Sequence, residues 1–394
     1  MWNWELLLAH RDQTELAVPL PRDPWNGMLA YDQSLYLFGG AYSKYGLPKG
    51  PGDLTSLGVS NDLWRFDLAE RRWQQLAADN GQALFDSSSA RPCGRVLPCW
   101  AEVDGTFYLF GGLTVRAAGW QTRLLNDLWS YDPAVRGWSL LEPDDGRMLL
   151  QPTQVNADRP TALAAMGVAA IGKKIYLLAG WGGQQPSVVL SSQLWSYDVQ
   201  RHTWEFLGSG RTQRPWPSKR YCPALTAWDG KLYLWGGRDT QDRSPQFYND
   251  LWMYDPAAAR WQQLAANQPG GTHGDAARPT ARYAMGHARV SSNWYLFAGF
   301  GSERGNSPQL NDLWRLDLQT GNWLLLQPHN GSKDLSAQAS RPCVRRVPAM
   351  AAAGDSVYVF GGLDLTSGPD EQGPLIGFND LWRGTAGRSA HEQQ

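Results

Sequence analysis

Short apolar runs alternate with polar turn clusters along the whole chain, and the clearest example is residues 232–264, LYLWGGRDTQDRSPQFYNDLWMYDPAAARWQQL. A largely apolar run ends in Gly236-Gly237. A polar loop follows, then Asn249-Asp250-Leu251-Trp252, a Tyr-Asp-Pro turn, and a last short run opened by Trp261. Runs this short, bounded by Gly, Pro, Asn and Asp, predict strands. Three lie in this stretch and a fourth is predicted just upstream, at 221–228.

The unit recurs. A Gly-Gly or Ala-Gly pair stands at six matching places: Gly39-Gly40, Gly111-Gly112, Ala179-Gly180, Gly236-Gly237, Ala298-Gly299 and Gly361-Gly362. A Leu-Trp pair also occurs six times, ending at Trp64, Trp129, Trp195, Trp252, Trp314 and Trp382. Self-similarity at a long, nearly fixed period marks a repeat architecture. Four antiparallel strands per repeat, arranged radially, make propeller blades. The pattern of apolar strand, Gly-Gly, loop, NDLW, Tyr-Asp turn and Trp resembles the kelch repeat, from Trp4 to Trp382. The resemblance implies an all-β, six-bladed kelch-type propeller of the galactose-oxidase-like superfamily. It implies little about function, because one such scaffold hosts adaptors, scaffolds and enzymes.

Residues 1–388 are expected to form one propeller domain, with blades near 25–76, 91–141, 159–207, 216–264, 278–326 and 341–383, and 389–394 as a flexible tail. The start, Met1-Trp2-Asn3-Trp4-Glu5-Leu6-Leu7, lacks the charged n-region of a signal peptide. It matches a fourth-strand pattern instead, beside Asn322-Trp323-Leu324-Leu325-Leu326. The sixth unit has no closing Trp strand of its own. Residues 1–7 are therefore expected to supply the outer strand of blade six and close the ring, which removes an open seam. Losing them should damage the protein far more than losing 389–394.

Turns between first and second strands are short, as at Asp104-Gly105 and Asp229-Gly230, which suit two-residue hairpins. The connections from second to third strands and between blades are long. Strand direction alternates, so all the long loops emerge on one face, where function on a propeller is expected.

Net charge is −1 and the pI about 6.6, which excludes a non-specific nucleic-acid or anionic-membrane binder. No apolar stretch reaches the roughly 20 residues that span a bilayer. Four cysteines in 394 residues make no disulfide scaffold, so reduced thiols in a cytoplasmic monomer are expected. Of the 21 tryptophans, twelve are repeat positions, six in the Leu-Trp pairs and six on fourth strands, and are expected in the core.

Two arginine series mark the loop face. Arg95, Arg220, Arg282 and Arg345 stand at the start of first strands, with Leu163 in blade three and Asp23 or Pro24 near that place in blade one. Arg91, Arg159, Arg278 and Arg341 each precede Pro, four residues upstream. Near the channel mouth such forks can bind a carboxylate, phosphate or acidic peptide. The structural alternative is that they tie blades together through the Asp of NDLW or loop carbonyls. Trp25, Trp120, Trp181, Trp216 and Phe300, with Arg238, also map to the loop face, either as stacking surfaces for a ligand or as packing within the loops.

Catalytic chemistry is not assignable. His273 and His329 lie in neighbouring loops, but two histidines without a third ligand make no metal site. The copper oxidases on kelch-like propellers use a His pair with tyrosines, one cross-linked to cysteine, and that constellation is missing, as is the Glu, Asp and His spacing of the plant iron-dependent specifier proteins. Cofactors and metals are not expected. The loop-face carboxylates Asp239, Asp242, Glu303, Asp364, Asp370 and Glu371 could hold an acid–base pair. The leading expectation is a binding module whose Arg- and Trp-rich loop face holds a protein partner or a small anionic or aromatic ligand. The alternatives are an isomerase, epimerase or cyclase acting in the same mouth, and a purely structural scaffold.

Overall fold

The computed structural model describes residues 2–386, apart from 12–17, 26, 44–56, 83, 117–120, 152–153, 157, 184–187, 211, 240–245, 269–276, 302–308 and 366–374. Among the described residues the named elements are all strands. Six antiparallel four-stranded sheets form, with two small two-stranded ladders beside them. The first strands of the blades are Met28–Tyr31, Cys99–Val103, Gly167–Ile171, Ala224–Trp228, Gly286–Val290 and Ala349–Ala353. They neighbour one another in cyclic order, so the six blades close into a propeller around a central channel.

The apolar second strands read as unbroken runs because both of their faces are buried. Leu35 and Leu37 pack toward blade six, while Tyr36 and Phe38 pack toward blade two. Six apolar clusters result, one in each wedge between neighbouring blades.

The Gly pairs sit where second strands reach the loop face. The N–H of the second glycine donates to the backbone carbonyl at the arginine position of the next blade: Gly40 to Arg95 at 2.9 Å, Gly112 to Leu163 at 3.0 Å, Gly180 to Arg220 at 2.9 Å, Gly237 to Arg282 at 2.9 Å, Gly299 to Arg345 at 3.0 Å and Gly362 to Arg22 at 3.1 Å. These six bonds form a belt between blades. At Gly40 a Cβ would lie 2.6 Å from the Asp23 carbonyl oxygen, and φ is +106°, so both space and backbone demand glycine there.

Blade six contains both ends of the described chain. Its sheet runs Trp2–Leu8, Leu375–Ala386, Ser356–Leu365, Ala349–Ala353, with Leu6 opposite Trp382. The expected N-terminal closure is therefore present. Trp2 is buried in the wedge between blades five and six, 5.2 Å from the Tyr295 ring, and Trp4 lies edge-on to Phe297 at 5.5 Å. Trp2→Ala is expected to lower the unfolding free energy by ~3–5 kcal/mol, the range for a buried tryptophan. Urea denaturation checks this, and a loss below ~1 kcal/mol would show that the seam does not rest on Trp2.

Candidate functional site

The inner arginines are locked into their own blades. Arg95 places Nη1 2.7 Å from Asp127 Oδ1 and 3.0 Å from the Gly111 carbonyl, and Nη2 2.8 Å from Asp127 Oδ2. Its Nε donates to the Cys93 carbonyl and Nη2 also to Cys93 Sγ, so all five N–H bonds are used inside the protein. Arg282 and Arg345 are saturated in the same way, on Asp312 and Asp380. Arg220 forks onto Asp250 and stacks 4.1 Å from the Tyr248 ring centroid. The same aspartate accepts the indole N–H of the NDLW tryptophan, as Asp127 does from Trp129 at 2.7 Å. These arginines are 0–1% exposed. The tie between blades runs through their backbone carbonyls, and their side chains bind within the blade.

Blade one carries the same lock, on Arg22 and Asp62 at 2.7 Å, at a position that sequence spacing does not reveal. From Arg22 to Gly27 is five positions, against four from Arg95 to Cys99; Gly27 and Cys99 are the equivalent partners of Phe38 and Phe110. The additional residue displaces the arginine from its expected place near Asp23 or Pro24. Burial pushes the Asp62 carboxyl up, but the charge and hydrogen bonds of Arg22 outweigh it and hold the group below the usual carboxylate range.

Blade three lacks both partners together. Leu163 replaces the arginine and Gln193 the aspartate, and Gln193 Oε1 accepts from the Trp195 indole at 2.9 Å. A buried carboxylate without its counter-charge is far costlier than losing both. Arg282→Leu alone is thus expected to cost ~3–5 kcal/mol. The double variant Arg282→Leu/Asp312→Gln, which copies blade three, should recover more than half of that in urea unfolding. A double variant no better than the single would refute the lock as a matched pair.

The Arg-Pro series sits at the blade periphery. Arg91, Arg159, Arg278 and Arg341 donate to the carbonyls of Ala78, Pro143, Ala266 and Pro328, each just past the end of the preceding blade's fourth strand. Trp216 is buried, 6.0 Å from Trp261, with its indole N–H on the Ser192 carbonyl at 2.7 Å. Trp120, Asp242, Glu303, Asp370, Glu371 and His273 lie outside the described residues. The four cysteines are buried and unpaired, and burial pushes the thiols of Cys93 and Cys343 up despite the neighbouring arginines.

Inside the belt lies a narrower annulus. Ala165 N–H donates to Leu97 O, Cys222 to Ala165, Ala284 to Cys222 and Val347 to Ala284, at 2.8–3.4 Å. All five residues have φ between 48° and 56°, a left-handed conformation that is strained for non-glycine residues and most of all for β-branched Val347. Such strain persists only where the surroundings impose it. Blade one contributes Trp25 instead. Its indole is 2% exposed, packs on Ala165, Cys222, Ala284 and Val347, and donates to the Met285 carbonyl at 3.3 Å. Trp25 plugs the loop-face end of the channel.

Above the plug, each blade presents one antiparallel bridge: Asp23 with Ala41, Val96 with Leu113, Ala164 with Trp181, Tyr221 with Arg238, Tyr283 with Phe300, and Arg346 with Leu363. Blades three to five thus supply a contiguous arc of Trp181, Tyr221, Arg238, Tyr283 and Phe300. Arg238 lies 5.2 Å from the Phe247 centroid and 5.3 Å from that of Tyr283, and Nη1 donates to the Tyr283 hydroxyl at 3.3 Å. Stacking between rings presets a guanidinium plane. Blades six and one complete the circle with Arg346 and Asp23. In blades six, one and two the second and third strands continue past the bridge as long hairpins, whereas in blades three to five they stop short of it. Sequence reasoning singled out Trp181, Arg238 and Phe300 here. It missed Tyr221, Tyr283 and Arg346, which aligning the residue after each inner arginine would have found, and the role of Asp23, which the displaced Arg22 hides.

Asp23 Oδ1 accepts the Trp25 backbone N–H at 3.2 Å. Burial pushes its carboxyl up to about 6, against the pull of that N–H and of the Arg346 charge. An unfolded carboxyl titrates near 3.8, so ionising Asp23 disfavours the fold: its contribution is full below about pH 4 and is lost as pH rises through about 6. Asp23→Asn, which keeps an acceptor for Trp25, should melt above wild type at neutral pH and with it below about pH 4. Melting curves across that range check this, and a gap independent of pH would remove Asp23 as the titrating group.

By class, then, the molecule is a six-bladed β-propeller whose elaborated face surrounds a plugged channel. The chain belongs to the kelch-repeat family: the family model described as KLHDC2/KLHL20/DRC7 Kelch-repeats domain matches residues 90–268 and 147–362. Kelch domain-containing protein 10 of Homo sapiens is 21% identical over 345 residues, an alignment covering 88% of this chain and 67% of the relative. Kelch domain-containing protein 3 of Bos taurus is 22% identical over 336 residues, covering 81% and 75%. Multiple epidermal growth factor-like domains protein 8 of Homo sapiens is 27% identical over 383 residues, covering 93% of this chain and 11% of that much longer protein.

Proposed function

We propose that the loop-face mouth is a binding site for a peptide or small molecule that joins a flat aromatic or apolar body to an anionic group. The observation that carries this reading is the contiguous arc on blades three to five. Trp181 and Tyr221 are half-buried and present ring surface, Tyr283 and Phe300 are buried and pack on each other, and Arg238 lies between the Phe247 and Tyr283 rings with its plane set. Tyr, Trp and Arg are the residues that dominate binding hot spots. The extended second and third strands of blades six, one and two stand on the opposite side of the mouth. Arg91, Arg95, Arg159, Arg220, Arg278, Arg282, Arg341 and Arg345 support the site through the fold. The buried, unpaired thiols accord with a reducing, cytoplasmic setting, and the closed ring accords with action as a monomer.

A second reading rests on Asp23. A mouth carboxyl that titrates near 6 can exchange a proton with a bound substrate at neutral pH, as an isomerase or epimerase requires.

The test is thermal-shift and calorimetric screening of the protein against arylcarboxylates and Asp/Glu-rich peptides, repeated with Arg238→Ala and Trp181→Ala. A ligand that loses tenfold or more in affinity in both variants, at unchanged melting temperature without ligand, supports the site. Ligands bound equally by wild type and both variants would overturn it. Turnover of a hit, lost in Asp23→Asn, would favour the second reading.

A further inference from the structure

Below the Trp25 plug the channel continues as a cavity of about 300 Å³, within the size range of small-molecule sites. The first strands of the six blades line it. Buried Trp25, Met285 and Pro348 close its loop-face end. Half-buried Ala30, Ala170, Ala227 and Ala352, with exposed Arg289, surround the other end, so it opens on the short-turn face. This space is separate from the mouth described above.

The sixfold repeat supplies an internal control. Strand register aligns Gly286 with Ala224, Cys99, Gly167 and Ala349, because each pairs with the residue before a Gly-Gly or Ala-Gly pair. One residue further on, five blades place Met28, Trp100, Val168, Leu225 and Met350, all apolar, and blade five places His287. Three residues on, four blades place alanine and blade two places Glu102, whose Oε1 accepts the Gly105 N–H at 2.6 Å. Blade five places Arg289. Blade geometry demands neither exception, since the other blades are built without them. Half-buried His287 brings a polar ring into an otherwise apolar ring of positions, and exposed Arg289 stands at its rim.

We propose that this short-turn cavity binds a short-chain monocarboxylate, with its carboxylate on Arg289, an oxygen substituent or the carboxyl itself within reach of His287, and its apolar chain along the alanine wall toward Trp25. Arg289 stands at the entrance, with Nη1 donating to the Ser291 carbonyl at 2.6 Å. His287 lies deeper, edge-on to the Trp294 ring at 5.9 Å. Burial pushes its pKa down to about 4, so at neutral pH it is an uncharged imidazole that offers one donor and one acceptor. The order of a charge at the entrance and a neutral polar group deeper, with alanine side chains along the wall, suits an acid head on a short hydrocarbon tail.

Isothermal titration calorimetry of the full chain with unbranched carboxylates from acetate to octanoate, and with the matched amides, tests the site. The expected result is one-site saturable binding that tightens with chain length and is at least tenfold weaker for the amides. Arg289→Ala restores the residue of blades one, three, four and six at that position, and His287→Leu restores that of blade four, so both variants should fold. Each should weaken binding tenfold or more. Arg238→Ala, on the other face, should leave it unchanged, which separates this site from the mouth. Absence of saturable binding in wild type, or wild-type affinity in Arg289→Ala and His287→Leu, would overturn the proposal.

Discussion

The structure depends on one repeated interaction, a buried guanidinium forked onto a buried aspartate. In five blades the pair joins the lead-in of the first strand to the third strand, and the glycine-pair carbonyl and the NDLW indole complete its hydrogen bonding. Such a pair is not automatically a source of net stability, because desolvating two charges consumes most of their attraction. Its stronger effect is on geometry. A planar fork with five donors accepts one arrangement of partners, so it fixes where the first strand begins and hence where the arginine's carbonyl meets the glycine N–H of the neighbouring blade. Blade three shows that a leucine and a glutamine can hold the same backbone, provided both charges leave together.

Much of this was legible in the residues. The Gly-Gly pairs, NDLW runs and fourth-strand tryptophans each answer to a local demand: a left-handed backbone against a neighbouring carbonyl, a charge lock, a ring in a wedge. Local demands repeat with the blades, so they survive in sequence as a period. The same logic explains what was hidden. Arg22 is out of step by one residue, and the insertion that displaces it also carries Trp25 into the annulus. The loop-face arginines were visible as a series, but their use was not. Whether a guanidinium serves a ligand or the fold depends on what lies some 30 positions away, as Asp127 does from Arg95. The mouth arc was half visible, because Trp181 and Phe300 directly follow the glycine pairs whereas Tyr221 and Tyr283 follow arginines whose own role, ligand fork or blade tie, was open.

Departures from the repeat are therefore the informative positions. Trp25 converts an open channel into two separate spaces that face opposite sides. Arg238, Arg346 and Asp23 break the apolar ring of bridges at the mouth, and His287, Arg289 and Glu102 break the rings of first-strand positions below. The second strands are about twice as long on blades six, one and two as on blades three to five, although the scaffold beneath is nearly sixfold.

The closure of blade six also has a consequence for biosynthesis. Leu6 pairs beside Trp382, so partners in one sheet are separated by 376 positions, from 6 to 382. At the usual pace of synthesis the earlier strand waits roughly 20 to 75 s for its neighbour to leave the ribosome. Blades one to five can assemble during that interval, each from contiguous chain. The strand Trp2–Leu8, with two tryptophans and three leucines, stays unpaired throughout. Until Leu375–Ala386 is made, this apolar strand lacks the sheet edge that it takes in the fold.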